Sequence, residues 1–214
     1  FSQLERLVGN PGAMPSEDEW RHHGAALTTA LTGEEATVHI GDLDAATAAR
    51  VYHLYLPVYF FARHQVRGSS SSAGAGEAVA IGLSAPQGCG KTTLVDFLVD
   101  RFAADGLSCA SVSFDDFYLT GAEQDGVAAD HASNPMLQVR GNAGTHDVPL
   151  GTQTLRALLR REAGVPLPRY DKALRQGRGD RAPRPEWPVL EAPCDVVLLE
   201  GWMAGFRPVP SEAA

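Results

Sequence analysis

Residues 80–94 read Ala80-Ile81-Gly82-Leu83-Ser84-Ala85-Pro86-Gln87-Gly88-Cys89-Gly90-Lys91-Thr92-Thr93-Leu94 and carry the strongest indication of the fold class. Its apolar beginning predicts a buried strand, its middle a glycine-rich turn, and Lys91-Thr92-Thr93 the first turn of an amphipathic helix. A helix N-terminus carries unpaired N–H groups and partial positive charge, so this order is typical of a phosphate-binding loop. The usual first glycine is replaced by Ala85. We expect residues 85–93 to bind a nucleoside triphosphate.

The polar and glycine residues of this loop have distinct expected roles. Gly88 and Gly90 let the backbone curl so that successive N–H groups point at phosphate oxygens. Lys91 is expected to reach the β- and γ-phosphates, and the Thr92 hydroxyl to be a ligand of Mg²⁺. The stretch therefore predicts a nucleotide and a magnesium ion together.

Composition limits the other classes of function. The 214 residues are 44% hydrophobic, enough for a substantial core in one or two domains. The net charge of -8, without a basic stripe carrying interleaved aromatic residues, argues against a nucleic-acid partner. No apolar run reaches the roughly 18 residues that span a membrane. Three cysteines without metal-ligand spacing, Cys89, Cys109 and Cys194, do not indicate a disulfide scaffold.

The chain divides by composition into three parts. Residues 1–67 predict a helical N-terminal segment, in which a helix from Leu43 ends or kinks near Pro57 and a second helix continues to about Val66. His22 and His23 are interpreted as a solvated pair. Residues 68–77 are rich in glycine and serine and predict a flexible linker. Residues 78–214 then form the expected nucleotide-binding core.

Acidic residues follow two further predicted strands. The run 109–114 ends in Asp115-Asp116, and the run 195–199 ends in Glu200. Open α/β sheets bind ligands at the carboxyl ends of their strands, so these carboxylates are candidates for the site. Because neighbouring side chains of a strand point to opposite faces, we expect one of the two aspartates to face the phosphates. The carboxylate of Glu200 is expected to hold Mg²⁺ directly or through water.

The segments between these strands are less regular. Residues 121–134 are polar and predict a mobile loop, whereas residues 152–162 predict a helix. Asp147 either helps to start that helix or has a role in substrate binding. Arg140, beside a glycine, suits an approaching anion. Residues 164–193 are rich in proline and arginine without clear periodicity, as in functional or disordered loops. Their arginines form either a solvated face or a site for a small acidic substrate.

These elements predict an α/β fold, the three-layer P-loop kinase architecture with a parallel sheet, preceded by the helical segment. The sequence supplies three convincing strands, 79–84, 109–114 and 196–199, where about five are usual. We therefore expect further strands, an adenine-contacting segment and a lid beyond Ala214, in a longer enzyme of which this chain is the N-terminal portion.

With these motifs placed, the chain resembles the D-glycerate 3-kinases of plants and algae, P-loop kinases related to phosphoribulokinase, uridine kinase and bacterial pantothenate kinase. The resemblance covers about residues 55–210. Besides the phosphate loop it depends on Leu56-Pro57-Val58-Tyr59-Phe60, Asp115-Asp116-Phe117-Tyr118-Leu119-Thr120, Arg140-Gly141-Asn142-Ala143-Gly144-Thr145-His146-Asp147, Pro168-Arg169-Tyr170-Asp171-Lys172, Gly177-Arg178-Gly179-Asp180-Arg181 and Glu200-Gly201-Trp202-Met203. The phosphate loop alone names only the superfamily, and the later motifs in this order are more specific.

The resemblance implies transfer of the ATP γ-phosphoryl group to the 3-hydroxyl of D-glycerate, in photorespiration in the chloroplast stroma. It implies that Asp115 is the general base, with Lys91 on the phosphates. Asp116 supports Mg²⁺ or orients Asp115, and Thr92 and Glu200 hold the metal.

The resemblance also implies which residues bind the phosphoryl acceptor. Arg140, Arg169 and Lys172 are expected to clamp the carboxylate of D-glycerate, because a small anion needs fixed cations to orient it. His146 and Tyr170, in the same motifs, are assigned to the substrate site. The implied partner is thus a small molecule, with neither nucleic acid nor membrane.

Two alternatives stay open from the sequence. One is a related kinase acting on pantothenate, uridine or ribulose 5-phosphate. The other is a truncated, non-catalytic nucleotide-binding module, against which the intact Lys91, Asp115 and Glu200 argue. Cys89, inside the phosphate loop, is either a small residue that fits the turn or a redox-sensitive thiol.

Overall fold

The computed structural model describes residues 15–33, 43–72 and 76–206. Its contacts divide the chain into two compact units, Phe1–Ala75 with Thr92–Leu107, and Gly76–Lys91 with Ser108–Ala214. The first unit therefore contains most of the helix that follows the phosphate loop, in addition to the predicted N-terminal segment. The units are described one after the other.

The first unit is helical. Its elements are α1 (Glu17–Thr32), α2 (Ala45–Ala49), a π-helix (Arg50–Tyr55), α3 (Leu56–Ser72) and most of α4 (Lys91–Ala104). A capping box between Ser16 and Glu19 starts α1, and Asp44 caps α2. The break expected near Pro57 is a change from π- to α-helical hydrogen bonding at Leu56.

The predicted linker begins as a helix. Because α3 continues to Ser72, the prediction of a flexible segment is wrong for residues 68–72. Serine and glycine lower helix propensity only moderately, so an established helix can extend through them. Residues 73–75 of the predicted linker lie outside the described residues.

Aromatic side chains form the core of this unit. Trp20 stacks on Phe60 with ring centroids 5.5 Å apart. His23 is only 8% exposed and its ring contacts those of Tyr59 and Phe60, so the interpretation of the histidine pair as solvated is wrong for His23. Burial, aided by the neighbouring charge of His22, lowers the pKa of His23 to about 4. His23 is therefore a neutral core residue at pH 7.

Gly24 on α1 allows the close approach of Tyr52. A Cβ atom at Gly24 would lie 2.6 Å from the ring of Tyr52 and 2.7 Å from its hydroxyl oxygen. We therefore expect Gly24→Ala to destabilise the protein by about 1–3 kcal/mol, since overpacking forces side chains out of their rotamers. Urea unfolding followed by circular dichroism measures the change.

Gly126 supplies the matched control for this substitution. It lies inside a helix, Gly121–Asp130, and apart from the backbone of that helix no atom lies within 4 Å of an added Cβ. Gly126→Ala should stabilise the protein by about 0.5–1 kcal/mol through the lower entropy of the unfolded chain. Equal effects of the two variants would show that the Tyr52 contact is not the cause.

The second unit is built on a parallel sheet. The parallel sheet consists of β1 (Val79–Ser84), β2 (Cys109–Ser113) and β7 (Val196–Gly201). The unit also contains the short strands β3 (Val165–Pro166), β4 (Tyr170–Asp171), β5 (Asp180–Arg181) and β6 (Val189–Leu190). β7 lies between β1 and β2 and pairs parallel with both, which confirms the three predicted strands. The prediction that β1 is buried is wrong, because β1 lies at the edge of this three-stranded sheet and its residues alternate between half-buried and exposed. The nearly uninterrupted apolar sequence of β7 agrees with its central place.

Helix α6 (Val148–Leu159) covers one part of this unit's core. The fully buried Leu158 packs in a cluster that includes Val112 of β2 and Val197 of β7. Asp147 starts the helix, since its carboxylate accepts a hydrogen bond from the N–H of Leu150. The helix begins four residues before the predicted 152–162 and ends three residues earlier.

Residues 121–134 are not a mobile loop. They contain α5 (Gly121–Asp130), and that prediction is wrong because a capping box joins Thr120 to Glu123. The buried amide of Gln124 also donates to the carbonyl of Leu137, 2.9 Å away. Residues 164–193 form two antiparallel pairs, β3 with β6 and β4 with β5, in place of the expected irregular loop.

Candidate active site

Parallel pairing gathers three motifs at one edge of the sheet. Ser84 of β1 is level with Gly201 of β7, and Ser113 of β2 is level with Glu200. The phosphate loop and the aspartate pair thus follow β1 and β2, and Glu200 is the next-to-last residue of β7, so that all three lie at the carboxyl ends of neighbouring strands. This edge is where open α/β sheets bind ligands.

The loop after β1 has the curled backbone of a phosphate cradle. Gly88 and Gly90 both have positive φ, 76° and 87°, a conformation that favours glycine. The ammonium of Lys91 donates to the carbonyl of Pro86 at 2.9 Å, and α4 begins at Lys91. Thr92 and Thr93 follow in the first turn of that helix, whose N–H groups are suited to phosphate.

The aspartate pair lies on a short 3₁₀ helix, Phe114–Phe117, beyond the end of the strand. The Ser113 hydroxyl accepts from the N–H of Asp115 at 3.2 Å, and the Asp116 carboxylate accepts from the Ser113 N–H at 3.2 Å. This capping box turns Asp116 back toward β2. The two carboxylates therefore diverge because of a helical turn, whereas the sequence predicted divergence by strand alternation.

Each aspartate has its own cation. The ammonium of Lys172 lies 2.7 Å from Asp115, and the guanidinium of Arg169 lies 3.2 Å from Asp116. Burial by itself would raise the pKa of Asp115, but hydrogen bonds from Lys172 and Tyr118 and the Lys172 charge hold it below its usual value. Burial raises the pKa of Asp116 in spite of Arg169. Asp115 is thus the better ionised of the two.

Tyr118 and His146 complete the surroundings of Asp115. Their backbones form a β-bridge and their ring centroids lie 4.6 Å apart. Burial lowers the pKa of His146, whose buried Nε2 atom has no hydrogen-bond partner among the described residues. Tyr118 is a site residue that was not predicted. Its place three residues after Asp115, with a hydroxyl that needs a partner when buried, was the available signal.

Arg140 binds backbone rather than a carboxylate. Its guanidinium donates to the carbonyls of Gly177, at 3.1 Å, and Arg178, and it lies 5.5 Å from the ring centroid of Tyr170. The Tyr170 ring in turn contacts that of Tyr118. The structure therefore brings Arg140 and Tyr170 together, next to Tyr118, the tyrosine that interacts with Asp115.

Arg181 is a second residue that the sequence analysis missed. Its guanidinium donates to the carbonyl of Tyr118 at 2.8 Å and lies 3.0 Å from the carboxylate of Asp147. Asp147 thus caps α6 and fixes Arg181. Nothing in the local spacing marks this pair, because 34 residues separate the two.

The oxygen donors at this edge fit Mg²⁺ in part. Mg²⁺ prefers carboxylate and hydroxyl oxygens and usually keeps few protein ligands beside substrate phosphates. Within the described ranges no cluster of three or more His, Cys, Asp or Glu side chains is suited to a metal. The Glu200 carboxylate has neither a hydrogen bond nor an ion pair to another described residue, whereas Asp116 is engaged by Arg169 and Ser113. Glu200 is the better candidate ligand.

The chain is similar to known kinases in sequence. It is 41% identical to the chloroplastic D-glycerate 3-kinase of Arabidopsis thaliana over 217 aligned positions, covering 96% of this chain and 46% of that protein. It is also 41% identical to an uncharacterized kinase of Schizosaccharomyces pombe over 133 positions, 61% of this chain and 48% of that protein. The chain spans about half the length of the curated relatives it matches. No family model matches it.

Solved structures agree with this relationship. The D-glycerate 3-kinase of Cryptococcus neoformans superposes with a TM-score of 0.67 and 35% identity, covering 75% of this chain and 56% of that one. The resemblance to D-glycerate 3-kinases and the α/β fold of the P-loop kinases are therefore confirmed. Among the helices that the structure describes, none has the length and apolar character to cross a membrane.

Proposed function

This chain is a relative of the D-glycerate 3-kinases, and from that relationship we propose that the protein transfers the γ-phosphoryl group of ATP to the 3-hydroxyl of D-glycerate. The products are ADP and 3-phosphoglycerate. The observation that carries the proposal is the common sheet edge, where the phosphate loop and Asp115 follow β1 and β2, and Glu200 lies at the end of β7 between them.

Asp115 is the proposed general base. The 3-hydroxyl oxygen forms a bond to the γ-phosphorus, the bond from that phosphorus to the β–γ bridging oxygen breaks, and the hydroxyl proton moves to Asp115. Lys172 and Tyr118 keep Asp115 ionised and therefore able to accept it. Transfer of this kind depends on position and charge more than on covalent participation of the protein.

The phosphate loop holds the nucleotide in this proposal. The N–H groups of residues 85–93 surround the phosphates, and the Lys91 ammonium leaves Pro86 for the β- and γ-phosphate oxygens. Thr92 and Glu200 are the proposed ligands of Mg²⁺, which neutralises phosphate charge when bound. Asp116 orients Arg169 and is a weaker candidate for the metal.

The acceptor carboxylate is proposed to bind Arg169 and Lys172, beside Arg140, His146 and Tyr170. Lys172 has three N–H donors and Arg169 has five, so each can keep its aspartate and still bind an oxygen of D-glycerate. The same lysine then places the substrate next to the base. A small anion held by fixed cations in this way is oriented for transfer.

We further propose a chloroplast location and a photorespiratory role. The support is the name of the Arabidopsis relative, a chloroplastic enzyme. Import into isolated chloroplasts, with protease protection of the product, tests the location.

An assay of ADP release tests the proposed reaction. We expect turnover with ATP and D-glycerate but not with pantothenate, uridine or ribulose 5-phosphate, and loss of turnover in Asp115→Asn. Preference for another acceptor on the same residues would identify a related kinase. ATP binding without turnover of any acceptor would favour the non-catalytic nucleotide-binding module.

In this scheme Lys172 sets the pH below which kcat/KM for D-glycerate falls, because it lowers the pKa of Asp115. Lys172→Met removes a hydrogen bond and a positive charge from Asp115, and burial then raises the pKa of this carboxyl. The base is consequently protonated at higher pH, so the acid limb of the kcat/KM profile for D-glycerate moves upward. Arg156→Met, an exposed cation on α6, is the matched control. If the acid limb of the kcat/KM profile were at the same pH in Lys172→Met as in wild type, the proposed effect of Lys172 on the pKa of Asp115 would be wrong.

A further inference from the structure

The strands β4 and β5 and the turn between them form a hairpin, residues 170–181, that carries Lys172 to Asp115. Within its turn, the N–H of Gly179 donates to the carbonyl of Leu174 at 2.8 Å. Arg140 donates to two carbonyls of the same turn. The hairpin is therefore the structural support of the proposed acceptor site.

One carboxylate outside the site holds this hairpin. Asp125, on α5, forms ion pairs with both Arg175 and Arg178 of the turn, the second at 2.6 Å. Two guanidinium groups thus share one acid across 50 and 53 residues of sequence. A carboxylate that accepts from two arginines restricts both side chains and the backbone between them.

The turn has a backbone that needs such restraint. Arg175 and Gln176 have positive φ, 52° and 60°, although neither is glycine. Residues with side chains persist in this region only where their surroundings hold them. Arg175 also crosses the start of α5, where a Cβ at Gly121 would lie 2.5 Å from its Cδ atom. The N–H of Gly121 meanwhile donates to Asp180 of β5 at 2.7 Å.

We propose that Asp125 is a positioning residue for the acceptor, which clamps the hairpin through Arg175 and Arg178 and so holds Lys172 at Asp115. The inference depends on the proposed function for its kinetic consequence, but the clamp itself is a property of this chain. Asp125 touches neither Asp115 nor the phosphate loop. Its removal should therefore affect D-glycerate and leave ATP unaffected.

The test compares Asp125→Asn with Asp130→Asn, which removes the same charge from the exposed end of the same helix. We expect amide exchange at Gly177 and Gly179, measured by NMR, to accelerate about threefold or more in Asp125→Asn alone. In steady-state assays the KM for D-glycerate should rise about three- to tenfold, with the KM for ATP within about twofold of wild type. Asp125→Glu should restore much of the D-glycerate affinity.

The outcomes separate this inference from the proposed function. Unchanged exchange at Gly177 and Gly179 overturns the clamp, whether or not the protein is active. Faster exchange with an unchanged KM for D-glycerate overturns the positioning role. Equal rises in both KM values, or the same changes in Asp130→Asn, indicate a general loss of structure and overturn it too. A wild-type protein that does not turn over D-glycerate refutes the proposed function, and the exchange result still decides the clamp.

Discussion

Asp115→Asn is expected to lower kcat for D-glycerate about 10²–10⁴-fold, the usual contribution of a general base. The amide has almost the shape of the carboxylate but cannot take the hydroxyl proton. Lys172 would also lose its charged partner, 2.7 Å away in the structure. The KM for ATP should change little, because the phosphate loop follows a different strand. Steady-state kinetics with both substrates measure the separate effects.

Asp116→Asn is the matched control for this prediction. Asp116 accepts from the Ser113 N–H and pairs with Arg169, roles that an amide oxygen partly retains. We expect a loss at least about tenfold smaller than that of Asp115→Asn. If Asp116→Asn were the more damaging variant, the assignment of the general base to Asp115 would be reversed.

Lys91→Ala is expected to lower kcat about 10²–10³-fold, as for the loss of one preorganised charge at a reacting phosphate. In the structure its ammonium makes a partly exposed contact with the carbonyl of Pro86. The free energy of unfolding should accordingly stay within about 0.5 kcal/mol of wild type. The comparison of single-turnover rates with thermal unfolding midpoints measures both quantities.

Two results would contradict the role of Lys91. A kcat within tenfold of wild type would mean that backbone N–H groups suffice for the phosphates. A large fall in the unfolding midpoint would mean that the lysine is structural. Lys91→Arg, which keeps the charge with a different shape, should recover only part of the rate because a guanidinium is planar and larger.

Local chemistry allowed much of the core to be predicted. The strand 79–84, the glycine turn and Lys91 are neighbours in sequence, and the strand 196–199 is a continuous apolar run, so apolar patterning and turn chemistry specify them. Asp147 as a helix start was foreseeable for the same reason, since a cap acts within three residues.

The errors have two physical causes, a local helix-capping signal that the polarity of the segment concealed and contacts between residues far apart in the chain. Polarity alone suggested a loop at residues 121–134, but the capping box of Thr120 and Glu123 and a long-range bond from Gln124 stabilise a helix there. His23 was expected in solvent because its burial depends on aromatic rings of α3, far along the chain. Propensity is a weak prior that tertiary contacts override.

The sequence alone specified the phosphate loop, the three strands that lead into the site and the acidic residues at or just beyond the ends of two of them, because each depends on residues adjacent in the chain. Only the tertiary structure decided which cation meets which acid. Lys172 on Asp115, Arg169 on Asp116, Arg181 on Asp147 and two arginines on Asp125 join residues 34 to 57 positions apart. Partners so distant are selected by the packing of β4 and β5 against α5 and the 3₁₀ helix, and spacing along the chain carries no signal for them.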